Sequence, residues 1–314
     1  QHFRAEWQVP HVLEGNTPIG TMGLSFQGPA EVWLDNFRVY EKGTPYNDYY
    51  EADYAALAVS GMGALRGHST IKSTAGYSMK DMVKASGTEM RSGNRMHHET
   101  LPALLDTCKR AEADPWLQIE MCMDEGEWQG FVEYMAAPYD PQRDTPESKP
   151  WAYARYAHGQ QTPWIELFDR VLFEVSNETW NPLFQPWMFQ YSTMVDGVTG
   201  TTHHRDDVYG MLQEYVIGQL KQSPWWTPAM EEKFEFVIGG RANTSYGLGA
   251  MRYSPSSRHL TIAAYNGGWE SKEAPPTADD RGYFKALTQV PQVALPRVLG
   301  WTEAIQEAGV DCRF

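Results

Sequence analysis

The residues best suited to chemistry concentrate in one stretch, Val-Leu-Phe-Glu-Val-Ser-Asn-Glu-Thr-Trp-Asn at 171–181. Its first part, Val171, Leu172 and Phe173, suits a strand buried on both faces. Its second part sets a carboxyl group, Glu178, among Asn177, Trp180 and Asn181. A carboxyl at the end of a buried strand is a candidate general acid/base, and the amides and indole beside it suit a hydroxylated ligand. A (β/α) barrel presents its active site in this way, at the C-terminal ends of its strands. Other chemical groups also fall at expected strand ends. Arg66 and His68 close Gly-Met-Gly-Ala-Leu-Arg-Gly-His-Ser (61–69). Glu120 closes Trp-Leu-Gln-Ile-Glu-Met (116–121), and Tyr265 and Asn266 close the run from His259 to Gly268.

The elements that must position these groups alternate. The pattern predicts helices at 50–59, 79–85, 101–113, 128–135, 151–159 and 209–220, with a longer one at 291–308 kinked near Pro296. Buried strands are expected at 116–121, 171–175, 234–240 and 259–266. In 101–113 the apolar set Leu101, Leu104, Leu105 and Cys108 recurs at helical spacing. In 209–220 the apolar set is Met211, Leu212, Tyr215, Val216 and Leu220. Strands alternating with helices indicate βα units and a parallel sheet. The expected fold is therefore α/β, a (β/α)8 TIM barrel. Residues 1–45 read differently, with an alternating run Glu-Val-Trp-Leu-Asp-Asn-Phe-Arg-Val-Tyr (31–40) after a Gly-punctuated approach.

Composition narrows the function classes. The net charge of −14 argues against nucleic acid or an anionic membrane as partner. There are 12 Trp and 17 Tyr, and flat aromatic faces pack well on sugar rings, which tilts the reading toward carbohydrate. Cys108, Cys122 and Cys312 are too widely spaced to form a metal pair or a disulfide framework. No Gly-rich phosphate turn follows the first strand, which favours a barrel over a doubly wound sheet, and no cofactor is expected. His203, His204, Asp206 and Asp207 lie close together, but they read as the polar start of a helix. A chain beginning at Gln1 allows a processed N-terminus, and the expected location is secreted or periplasmic.

Three stretches together resemble clan A retaining glycoside hydrolases, most closely their α-L-arabinofuranosidase-like branch. Phe-Glu-Val-Ser-Asn-Glu-Thr-Trp (173–180) is similar to the fourth-strand motif in which an Asn-Glu pair carries the acid/base. Pro-Trp-Leu-Gln-Ile-Glu (115–120), continuing into Glu-Trp-Gln-Gly-Phe-Val-Glu-Tyr (127–134), is similar to the third strand and its helix. Ala-Leu-Arg-Gly-His (64–68) resembles the strand that supplies an active-site arginine. The resemblance spans roughly residues 60–270. It implies a double-displacement mechanism with Glu178 as acid/base and a second carboxylate roughly 5 Å away as nucleophile. It further implies that Asn177 bonds the sugar 2-hydroxyl, that Arg66 positions the nucleophile, and that Trp180 and Tyr265 line the subsite, with His68, Glu120 and Asn266 as further substrate contacts. The segment 32–40 resembles the last strand of a β-sandwich carbohydrate-binding module, giving domains at 1–45 and 46–314.

The nucleophile is harder to place. If 173–178 is the fourth barrel strand, 234–239 is the fifth and 260–265 the sixth. The seventh strand, which carries the nucleophile in this clan, would then begin about Phe314, leaving the barrel incomplete at its C-terminus. The alternative count makes 260–266 the seventh strand, with Asn266 in the nucleophile's place or Glu270 serving from the loop. The competing functions are a non-catalytic carbohydrate-binding protein on the same scaffold, and a metal-dependent hydrolase using His203, His204, Asp206 and Asp207.

Overall fold

In the computed structural model, which describes residues 27–29, 31, 51–67, 71–72, 78–84, 100–120, 123–181, 193–241, 243–262 and 295–311, the buried runs assemble into one parallel sheet. Its strands are β1 (Ala64–Arg66), β2 (Ile71–Lys72), β3 (Asp114–Glu120), β4 (Val171–Val175), β7 (Phe234–Gly239) and β8 (His259–Thr261). The order is β1-β3-β4-β7-β8, with β2 also paired to β3, and every pairing is parallel. The neighbours β4, β7 and β8 follow one another as the sequence count had them. This is the arrangement of part of a (β/α) barrel. The sandwich-like segment 32–40 lies outside the described residues.

A parallel strand needs cover on both faces, and β4 is buried at all five positions. Phe173 anchors one side, with Trp128, Phe131, Phe234 and Phe236 all within 6.3 Å of its ring centre. The helices that supply the cover are α1 (Glu51–Val59), α2 (Met79–Met82), α3 (Leu101–Arg110), α4 (Glu125–Ala136) and α5 (Pro150–Ala157). They continue with α6 (Arg205–Lys221), α7 (Pro228–Lys233), α8 (Thr244–Arg252) and α9 (Leu295–Glu307). The expected core face of α3, Leu101, Leu104, Leu105 and Cys108, is buried throughout.

Several boundaries differ from the sequence reading for physical reasons. Helix α4 starts earlier than expected because Asp124 and Glu127 form a reciprocal capping box over residues that look like an acidic loop. Helix α6 likewise starts at Arg205, where the His204 N–H donates to the Asp207 carboxylate at 3.2 Å. Pro296 sits in the first turn of α9, where its missing N–H leaves no bond unmade, so no mid-helix kink is needed. Strands β5 (Thr193–Val195) and β6 (Thr202–His204) form an antiparallel hairpin between β4 and α6 that had no clear pattern in the sequence. Helices α7 and α8 were likewise not anticipated.

The buried face of α6 includes Val216 and Leu220, with Leu212 packed against the same core, as the apolar spacing suggests, but it departs from that pattern at two positions. Tyr215 is exposed, donating its hydroxyl to Glu125 at 3.1 Å, while Gln213 is fully buried. The Gln213 amide accepts from the Val175 N–H at 3.0 Å and donates to the Val237 carbonyl at 3.3 Å. It thus joins α6 to β4 and β7, the two strands that carry the site described below. Gln213→Leu removes the acceptor from a buried N–H and is expected to destabilise the chain by about 1–3 kcal/mol, read as a lower urea midpoint.

Candidate active site

The chain leaves β4 through a strained turn. Ser176 and Glu178 both take positive φ, 65° and 42°, a region that side-chain-bearing residues seldom adopt. Such conformations cost of order 1–3 kcal/mol each and persist only where the surroundings hold them. Here the surroundings hold every residue of the turn. The Ser176 N–H continues the ladder to the Ile119 carbonyl at 2.8 Å. Asn177 Oδ1 accepts from Arg66 Nη2 at 3.1 Å. Thr179 Oγ1 and the Tyr246 hydroxyl lie 2.7 Å apart. Asn181 closes the turn on Glu178, its backbone N–H to the carbonyl at 2.7 Å and its Nδ2 to Oε2 at 2.7 Å. Glu178 itself remains partly exposed, whereas Ser176 and Asn177 are buried.

Beneath this turn lies a carboxylate that the sequence reading did not single out. Glu174 points from the middle of β4 and its side chain is 1% exposed. Arg66 grips it with Nη2 at 2.9 Å from each oxygen and Nε at 3.1 Å from Oε2, and Trp116 Nε1 adds a third donor at 2.9 Å. The guanidinium also lies over the Trp116 ring, 5.2 Å from its centre. Burial pushes the Glu174 carboxyl above the ordinary glutamate range, against the pull of Arg66 and Trp116, and the charge of Glu178 pushes the same way as burial. Arg66, the residue the resemblance gave to a nucleophile, thus spends its charge on the strand that also carries Glu178.

Room for Glu174 comes from Gly239 at the end of β7. A Cβ there would run into Glu174 Oε1. The Gly239 N–H donates to the Tyr209 hydroxyl at 3.0 Å, and Tyr209 stacks on Tyr246, whose hydroxyl meets Thr179. Burial and the neighbouring Glu174 charge hold the Tyr209 phenol well above its usual range, so it stays protonated. Gly239→Ala is expected to displace the Glu174 carboxylate and destabilise the chain by about 1–3 kcal/mol. The check is chemical denaturation together with the indole N–H resonance of Trp116, which should move.

The remaining expected site residues divide clearly. Trp180 is half-buried near the turn, but its Nε1 donates to the Gly240 carbonyl at 3.2 Å and Arg241 lies over its ring at 5.2 Å. Glu120 is the last residue of β3, in register with Lys72 of β2. His68, Tyr265, Asn266 and Glu270 lie outside the described residues. His204 and Asp207 cap α6, and His203 Nδ1 is 3.9 Å from Asp207 while its ring packs edge-on against Tyr253. Among the described residues no group of three His, Cys, Asp or Glu is placed to hold a metal ion. The signal that could have found Glu174 is its place inside an apolar run, since a charge on a strand buried on both faces needs a partner. The signal for Gly239 is the Gly-Gly pair closing β7, which marks a close approach.

No family model matches the chain, and no curated protein sequence matches it. Solved structures do match. An arabinofuranosidase structure aligns over 87% of this chain and 49% of its own, at 14% identity and a TM-score of 0.56. The α-L-arabinofuranosidase of Thermotoga maritima, in complex with arabinose, aligns over the same shares at 15% identity and a TM-score of 0.55. The GH51 arabinofuranosidase of Xanthomonas axonopodis pv. citri does so at 17% identity and a TM-score of 0.51. The chain spans about half the length of the structures it matches. It shares with them an arabinofuranosidase-like glycoside hydrolase fold.

Proposed function

We propose that this chain carries the acid/base side of a retaining glycoside hydrolase site, acting on the glycosidic bonds of a plant- or algal-type oligosaccharide or polysaccharide. Glu178 protonates the leaving oxygen in the first step and then deprotonates the incoming water. Asn177 donates to a sugar hydroxyl, and Trp180 offers an aromatic wall at the rim. Glu174 is not the nucleophile of this reading, because its oxygens are buried and already accept from Arg66 and Trp116. That role falls to a carboxylate outside the described residues, Glu270 or one on a further strand.

The observation that carries this reading is the Asn177-Glu178 pair, held in a strained turn at the end of a fully buried parallel strand, with Asn177 Nδ2 buried and unpartnered among the described residues. A donor left without an acceptor in the free protein is suited to a hydroxylated ligand. A second reading, sugar binding without cleavage, draws support from the engagement of Glu174, the other carboxylate in this part of the site. Calorimetric titration with L-arabinose, D-xylose, D-galactose and their oligosaccharides, run beside turnover of the matching 4-nitrophenyl glycosides, separates the two. Binding with turnover supports the hydrolase, binding alone supports the second reading, and neither binding nor turnover overturns both.

A further inference from the structure

We infer that Glu174 is a positioning residue which, through Arg66, fixes the Asn177 amide so that Nδ2 is the group offered to the ligand. The sugar as ligand rests on the function proposed above; the orientation of the amide does not. Arg66 carries only donors, so the Asn177 atom 3.1 Å from its Nη2 must be the carbonyl oxygen. Flipping the amide would set an NH2 against a guanidinium. Nδ2 therefore points away from Arg66, and among the described residues it is buried without a partner.

The guanidinium is itself held in place. Its Nη2 reaches both Glu174 oxygens and Asn177 Oδ1, while Nε adds a second bond to Glu174 Oε2. Four donor–acceptor contacts, counting the Trp116 indole, fall on the two oxygens of Glu174. Only a carboxylate can accept them all; a glutamine would turn an NH2 toward one of the donors. The Arg66 side chain is 27% exposed, so without its carboxylate it can swing toward water and release Asn177.

A specificity rule follows. The ligand atom facing Asn177 must be an acceptor, such as a hydroxyl or ring oxygen. An ammonium group in that place, as in an amino sugar, has donors alone and is rejected.

The test uses the whole chain labelled with 15N. The side-chain amide pair of Asn177 is assigned by its loss in Asn177→Ala, and its position is compared in wild type and Glu174→Gln, with the Trp164 indole as a fold control. Affinities for L-arabinose, D-xylose and D-galactose are measured beside those for their singly deoxygenated and amino forms. In wild type one deoxygenation should weaken binding about three- to tenfold, the loss of one hydrogen bond. In Glu174→Gln that penalty should shrink to less than about twofold. The Asn177 pair should shift while Trp164 stays. If Glu174→Gln does not fold, Arg66→Met combined with Glu174→Leu removes both charges together and serves instead. An unmoved Asn177 pair, or an undiminished deoxygenation penalty, overturns the inference. If no sugar binds wild type yet the amide pair moves, the carbohydrate reading falls and the positioning role stands.

Discussion

Arg66→Ala is expected to destabilise the folded chain by about 3–5 kcal/mol at neutral pH, the cost of leaving a buried charge without its partner. The Glu174 carboxylate is fully enclosed, and of its partners among the described residues the Trp116 indole alone would remain after the substitution. The effect should depend on pH in a defined direction. Burial already raises the folded-state pKa of Glu174 above the ordinary 4.5, with Arg66 the main influence opposing it. Between 4.5 and the raised value the folded chain holds a proton that the unfolded chain has released, so stability falls as pH rises through that window. Removing Arg66 lifts the folded value further and widens the window upward. Below 4.5 the carboxyl is neutral in both states, and the variant should lie close to wild type. Urea denaturation across pH reads this directly. A deficit that stays constant with pH would show that Arg66 matters for packing alone.

The second large effect is on activity. Glu178→Ala should lower turnover of a glycoside with a poor leaving group by about 10²–10⁴-fold, the usual worth of a positioned general acid. The side chain stands on a residue with φ 42°, and Asn181 Nδ2 fixes one oxygen at 2.7 Å. Glu178→Gln preserves the shape and should show a comparable loss, because an amide cannot donate a proton and then recover it. The melting temperature should change little in Glu178→Gln, since the residue is partly exposed and the turn is held mainly by Ser176, Asn177, Thr179 and Asn181.

Much of this arrangement is legible in the residues. Val171 to Phe173 form a continuous apolar run because β4 is covered on both faces, and the polar residues after it mark the open end of the sheet. Arg66, Asn177 and Glu178 were each legible as strand-end groups, and the fold brings Arg66 to Asn177. The pairing that links them was not. Glu174 breaks an apolar run, and its partners Arg66 and Trp116 come from strands far away in sequence. The hairpin β5–β6 has one strand exposed at every position, so no buried face imposed a pattern on it. Gln213 is a polar residue that bridges two strands inside the core, which an apolar period cannot report.

The central claim is that Glu178 supplies a proton to a glycosidic oxygen, and leaving-group dependence tests it most directly. The rate of the first, bond-breaking step is to be measured for wild type and Glu178→Ala with two arabinofuranosides, one carrying 2,4-dinitrophenol and one carrying methanol. A dinitrophenolate leaves without a proton, whereas methoxide needs one. The expected result is near-normal cleavage of the dinitrophenyl glycoside by Glu178→Ala and loss of methyl glycoside cleavage. Equal losses on both substrates, or no loss on either, would contradict the assignment of Glu178 as the acid.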